Sequence, residues 1–217
     1  TPLPKKVGYA WKRFRRWIKK QPDPELYKQK VARMKAFIHL ARHEHIDVYF
    51  EDEAGFSLLP YIPYGWQPIG EQGKIASKRK HVQNVVGLLN PLNGHLATYP
   101  TAPKQTIDTT FMIQCLDDFA SQLKRLTVVA VDHAPWHTSH EFYKRMPHWQ
   151  KQGLFIFHLP RYSPHLNLIE TLWRKIKYEW LRPKDYNSPS ALKKRLKEIF
   201  TEYNNEFTIN FSMNVYT

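Results

Sequence analysis

Cysteine is almost missing from this chain: Cys115 is the only one in 217 residues. One thiol excludes a disulfide framework and any zinc site built on several cysteines. Its setting, FMIQCLDDF, is apolar and predicts a small buried residue. Glycine is scarce too, at 8, and no tract is low in complexity, so disorder is excluded for the bulk of the chain. No run approaches the roughly 18 apolar residues that a membrane span requires. The opening TPLPKK has neither an initiator Met nor the apolar region of a signal peptide, and an intracellular setting is the expectation. Acidic residues are the scarce charge. Asp and Glu number 19 against 33 Lys and Arg, a formal net charge of +14. That excess points to a polyanionic partner, most simply nucleic acid.

Hydrophobic residues make up 42% and aromatics 14%, ample for a packed core. The chain divides into a basic helical segment, 1–44, and an α/β domain with a C-terminal helix, 45–217. In the first, YAWKRFRRWIKK (Tyr9 to Lys20) places Trp11, Phe14, Trp17 and Ile18 at helical spacing among cations. A second helix is predicted from Pro24 to about His43. Then come a strand from Ile46 to Glu51 ending at Asp52, turns over Pro60 to Gly73, and strands at His81–Leu89 and His95–Tyr99 around an NPLNG hairpin turn. A helix at about Asp108 to Leu123 precedes LTVVAV (Leu126 to Val131), an apolar run typical of a strand buried on both faces. A short helix (Ser139 to Gln152), a buried strand (Leu154 to Leu159), an amphipathic helix (Leu168 to about Leu181) and a basic helix (Ser190 to about Tyr203) complete the order. Three strands followed by alternating helices and strands predict an α/β fold with a mixed sheet.

Three carboxylates stand out. Asp52 lies where one apolar strand meets polar chain, and Asp132 ends the LTVVAV strand. Open α/β sheets build sites at the carboxyl ends of their strands. Glu170 sits in the first turn of the amphipathic helix, beside a stripe of Ile169, Leu172, Trp173, Ile176 and Trp180. Phosphodiester cleavage requires an activated water, a stabilised leaving oxygen and charge neutralisation; two Mg²⁺ ions about 4 Å apart supply all three. Mg²⁺ takes hard oxygen ligands from few carboxylates, so three acids suffice. Each acid also has a plainer role open to it. Asp52 fits a strand-end cap, Asp132 a turn before Pro135, and Glu170 a capping box with Asn167.

Three blocks, EDEAGFSLLPYIPYGWQPIGEQ, VVAVDHAPWHTSHEF and LPRYSPHLNLIETLWRKIK, together resemble the DDE transposases of the mariner superfamily, most closely its bacterial insertion-sequence branch. The resemblance runs from about Ile46 to Leu181. It implies an RNase H-like fold, a mixed five-stranded sheet flanked by helices. It makes Asp52, Asp132 and Glu170 the catalytic and metal-binding triad, with Mg²⁺ as cofactor and Mn²⁺ able to substitute. It further implies cleavage at transposon ends, strand transfer into target DNA at TA, a homodimer acting on double-stranded DNA, and a place at the bacterial nucleoid in the cytoplasm. His133, His165 and Leu168 depart from the residues usual at their positions in the family. Thr1 to Lys20 looks like the last piece of its N-terminal DNA-binding region, or the linker after it.

Lys12, Arg13, Arg15, Arg16, Lys19 and Lys20 are the candidate contacts to the DNA backbone, with a solvated helix face as the alternative. Arg161, Tyr162, Arg174 and Lys177 fall near the expected site and are candidates to hold DNA beside the metals. Trp66, Trp136 and Trp149 fit either base stacking or packing. The histidine clusters, His39, His43 and His45, and His133, His137 and His140, match no standard zinc spacing. Local hydrogen bonding, or phosphate contact by His133 or His137, is the expectation. Two other functions fit the composition: a catalytically inactive, domesticated DNA-binding protein, and another RNase H-like nuclease acting on junctions or RNA–DNA hybrids.

Overall fold

The computed structural model describes residues 22–61, 69 and 80–216. The basic run from Lys12 to Lys20 and Trp66 lie outside the described residues. Helix α1, Pro24–Arg42, begins where Asp23 accepts hydrogen bonds from the backbone N–H groups of Glu25 and Leu26, with Pro24 at the first helical position. It buries only Met34 and Ile38 against the sheet.

Five strands form that sheet: β1 (Asp47–Ser57), β2 (His81–Leu89), β3 (Leu96–Pro100), β4 (Thr127–Val131) and β5 (Leu154–His158), in the order β3-β2-β1-β4-β5. The β1–β2 and β2–β3 pairs are antiparallel, and the β1–β4 and β4–β5 pairs are parallel. The expected mixed sheet is therefore present, with one correction. β1 does not stop at Asp52 but runs on to Ser57, because β2 pairs along its whole second half, from Phe50↔Leu89 to Ser57↔His81.

Alternation along the central strands divides the core in two. Val48, Phe50, Val128 and Ala130 face one side, covered by α1, by α4 (Ile169–Lys175) and by α5 (Pro189–Thr201). Tyr49, Val129 and Val131 face the other, packed against Leu116 and Phe119 of α2 (Thr109–Ser121) and Phe142 and Trp149 of α3 (His140–Lys151). Cys115 is buried in this second layer, as its apolar setting implies.

The α4 region settles one alternative and departs from one expectation. The capping box open to Asn167 and Glu170 does not form. Leu168 stands at the N-cap without a side-chain bond, and the Asn167 amide donates instead to the backbone carbonyl of Glu51, at 2.8 Å. That carbonyl lies in the core strand β1, so a buried acceptor is satisfied and the helix start is tied to the sheet. Nor does one α-helix reach Leu181. After Lys175 the chain widens into a π-turn, Ile176–Trp180. Arg195 of α5 donates to the Trp180 carbonyl at 3.1 and 3.3 Å, satisfying a helix-end acceptor. Gly87 of β2 lets α4 lie close on the sheet. A Cβ there would stand 2.7 Å from Trp173 and 3.0 Å from Ile169.

Candidate active site

Phe50 of β1 and Ala130 of β4 are the last parallel pair between these strands. Asp52 and Asp132 each follow that pair by two residues. Alternation puts Asp52 on the face of Phe50, and Asp132, just past the end of β4, lines the same cavity. β4 ends at Val131, so Asp132 opens a loop, whereas Asp52 stays in a strand held by β2 opposite Gly87. α4 packs on this same face and carries Glu170 in its first turn. The three acids line one cavity of about 400 Å³ together with His133, Arg161, Tyr162 and Asn167. Release of Glu170 from capping leaves its carboxyl available there.

The electrostatics record the crowding. Burial, then the neighbouring Glu51, raises the Asp52 pKa to about 8, and the charges of Glu170 and Asp132 push the same way. Burial also raises Glu170; Arg174 opposes this and Asp132 adds to it. Asp132 is held below its ordinary value. Burial would raise it, but hydrogen bonds from His137 and from the Ala134 N–H outweigh that. Both bonds fall on Oδ1, at 2.9 Å from His137 Nδ1 and 2.7 Å from Ala134 N. Three crowded carboxyls, with Asp52 disfavoured as an anion by itself, form a donor set that fits hard divalent cations. A pair of such ions spreads its ligands more widely than a single ion would.

A second cluster lies behind this one, and sequence reasoning missed it. Glu51 and Glu53 flank Asp52 on β1 and point to the opposite face. His137 Nε2 is 3.0 Å from Glu51 and 3.8 Å from Glu53. Among the described residues, these three alone offer ligand atoms all within 4.8 Å of one another. Glu51 and His137 are both 0% exposed. Burial disfavours the His137 cation, but Glu51, Asp132 and Glu53 outweigh it and hold its pKa up to about 10. Glu53 moves up, through burial and then Glu51, and accepts a 2.5 Å bond from Trp136 Nε1. The signal was present in the EDE run, whose period of two puts two acids on one buried face.

The remaining candidates distribute as follows. Arg161 and Tyr162 line the cavity. Lys177 lies 5.5 Å over the Phe56 ring and 5.3 Å over Tyr61, with its pKa lowered by burial against the pull of Asp52. Arg174 is exposed on α4 and acts on Glu170. Lys30 of α1, absent from the sequence reading, donates to the His158 carbonyl at 2.7 Å, and its pKa is lowered by burial and then by Arg161 and Arg33. The phosphate role open to His137 is ruled out by its burial. His133 does line the cavity, with Nε2 at 2.8 Å from the Leu159 carbonyl. Trp149 is fully buried and donates to Asp117, which makes it a packing residue, and Trp136 is occupied by Glu53. His39, His43 and His45 stack near one another on the surface.

This fold and this acidic face define a class. The sequence profile of the DDE superfamily endonucleases matches residues 47–193, and the chain belongs to that family. Its fold is RNase H-like. It is similar to the Mos1 strand transfer complex (TM-score 0.57, 16% identity, covering 94% of this chain and 62% of that one). It is also similar to the mariner Mos1 paired-end complex with Mg (0.56, 16%, 94% and 63%). For the catalytic domain of Mos1 mariner transposase the figures are 0.54, 15%, and 88% of each chain. At such identities the likeness speaks for the fold. The chain spans 62% of the length of the transposase in the strand transfer complex. No curated protein matches the chain.

Proposed function

We propose that this chain is the catalytic domain of a DNA transposase that cleaves at transposon ends and joins the freed 3′ ends to target DNA. The observation that carries the reading is that Asp52, Asp132 and Glu170, from three separate parts of the chain, line one cavity just beyond the last parallel pair of β1 and β4. Mg²⁺, with Mn²⁺ able to substitute, would neutralise charge at the phosphoryl group and favour the deprotonated nucleophile. Asp52, Asp132 and Glu170 would hold the ions between them. The carboxylates act as ligands, and no covalent protein intermediate is needed. Arg161, Tyr162, Lys177 and Arg174 surround the acids and would hold the phosphodiester in line for attack. Water is the nucleophile for cleavage, and the 3′-hydroxyl then takes its place for strand transfer.

The partner is double-stranded DNA, in keeping with the net charge of +14. A homodimer would bring two ends together. Membership of the bacterial insertion-sequence branch and action at the nucleoid belong to the same proposal, as does phosphate contact by the Lys12 to Lys20 run.

The test is cleavage of end-bearing duplex with Mg²⁺, run beside a four-way junction and an RNA–DNA hybrid. Duplex cleavage followed by strand transfer is expected. Asp52→Asn, Asp132→Asn and Glu170→Gln should each lower the rate by about a thousandfold or more, the several kcal/mol that positioned cations contribute, while DNA binding by gel shift persists. Preference for the junction or the hybrid would reassign the substrate, and full activity in the three variants would remove the site.

A further inference from the structure

Asp132 stands on a loop, with its side chain 52% exposed, yet a two-ion site requires its carboxyl at a fixed distance from Asp52. Something must hold it, and β4 has already ended. The two bonds to Oδ1 come from a neighbouring backbone N–H and from an imidazole. That imidazole is wholly buried, and its other nitrogen faces the two glutamates that flank Asp52 on β1. The bridge from β1 to the Asp132 loop therefore passes through one rigid five-membered ring.

The ring itself has little freedom. Phe142 packs edge-on at 5.6 Å between centroids, and the His137 carbonyl accepts a bond from His158 Nε2 at 3.0 Å. On the far side, Trp136 fixes Glu53. Neither oxygen of Glu51 accepts a hydrogen bond from the described residues, so its ion-pair contact is with His137. A fully buried carboxyl is costly without a partner, and His137 Nε2, 3.0 Å away and itself without a hydrogen bond among the described residues, is the group beside it.

We infer that His137 is the positioning residue of the site: it sets the separation of Asp52 and Asp132 by bridging β1 to the Asp132 loop, leaving Asp132 Oδ2 for the cation. This rests on the reading of Asp132 as a cation ligand. His137 touches neither substrate nor ion and acts through Asp132.

Mn²⁺ titration of the full chain by calorimetry, without DNA, separates the two claims. Asn at position 137 can present its amide nitrogen where Nδ1 stands, whereas Gln reaches only toward Nε2. His137→Asn keeps the bond to Asp132 but loses the β1 side, and His137→Gln does the reverse, so both variants and His137→Ala should weaken Mn²⁺ binding at least tenfold, with circular dichroism unchanged. Equal Mn²⁺ affinity in wild type, His137→Gln and His137→Ala, with loss in Asp132→Asn, overturns the positioning role and keeps the site. No loss in Asp132→Asn overturns both. If His137→Gln and His137→Ala do not fold, the wild-type protein still decides. Its downfield imidazole N–H resonance, identified by its absence in His137→Asn, should move when Mg²⁺ is added, because the cation draws charge from the accepting carboxylate. A resonance that stays fixed at saturating Mg²⁺ contradicts the inference.

Discussion

Asp52 is disfavoured as an anion by its surroundings, which at the residue scale supports the proposed cation site. Burial and the crowd of like charges raise its pKa to about 8 from 3.8. A divalent cation must therefore displace a proton, and its binding is linked to pH. The Mg²⁺ concentration for half-maximal cleavage is expected to rise as pH falls below about 8, with calorimetry showing proton release on binding; a pH-independent requirement between pH 6 and 8 would refute this. The same shift has a stability consequence. Between 3.8 and about 8 the folded, cation-free protein holds a proton that the unfolded chain has lost, so the contribution of this group declines as pH rises. Wild type should lose stability relative to Asp52→Asn across that range in EDTA, and recover it with Mn²⁺. Asp132 runs the other way, held low by His137 and Ala134, and is ready as an anion before any cation arrives.

At the scale of elements, the site depends on how closely α4 lies on β1 and β2. Gly87 is the contact point, opposite Asp52 in the ladder and beneath Trp173. Gly87→Ala is expected to cost about 1–3 kcal/mol by overpacking and to lower cleavage further by moving Glu170, measured by urea unfolding and by turnover under native conditions. Unchanged stability and rate would mean that α4 adapts freely. Elements were largely legible from periodicity: the apolar run at β4, the Asp108 and Ser139 caps and the helix after Pro24 all lie where the residues put them. The errors came from long-range pairing. Nothing local says that β1 continues past Asp52, because β2 supplies the reason from about thirty residues away. Nothing local says that Asn167 bonds to Glu51 in place of capping α4. Asp52 and Asp132 stand out because each follows an apolar run and Glu170 because it opens an amphipathic helix, but it is the family resemblance that joins the three. Of the Glu51–Glu53–His137 layer only half was legible: the EDE run puts two acids on one face, but His137 reaches them only through the tertiary fold.

At the scale of the whole molecule, a protein with a net charge of +14 sets three of its 19 acids, Asp52, Asp132 and Glu170, on one cavity. Arg161 lines that cavity, and Lys30 lies close enough to Arg161 for the two charges to act on each other. DNA affinity should then fall linearly on a log–log salt plot, and Arg161→Gln should reduce the slope by about 1, one phosphate contact's worth. A slope unchanged by Arg161→Gln would place the DNA elsewhere.

The most direct measurement is anomalous diffraction from crystals soaked in Mn²⁺. The account predicts density within about 2.2 Å of Asp52 carboxyl oxygens, shared with Asp132 and with Glu170 on the cavity face. Density confined to Glu51, Glu53 and His137 behind the sheet, with none at Asp52, would contradict it.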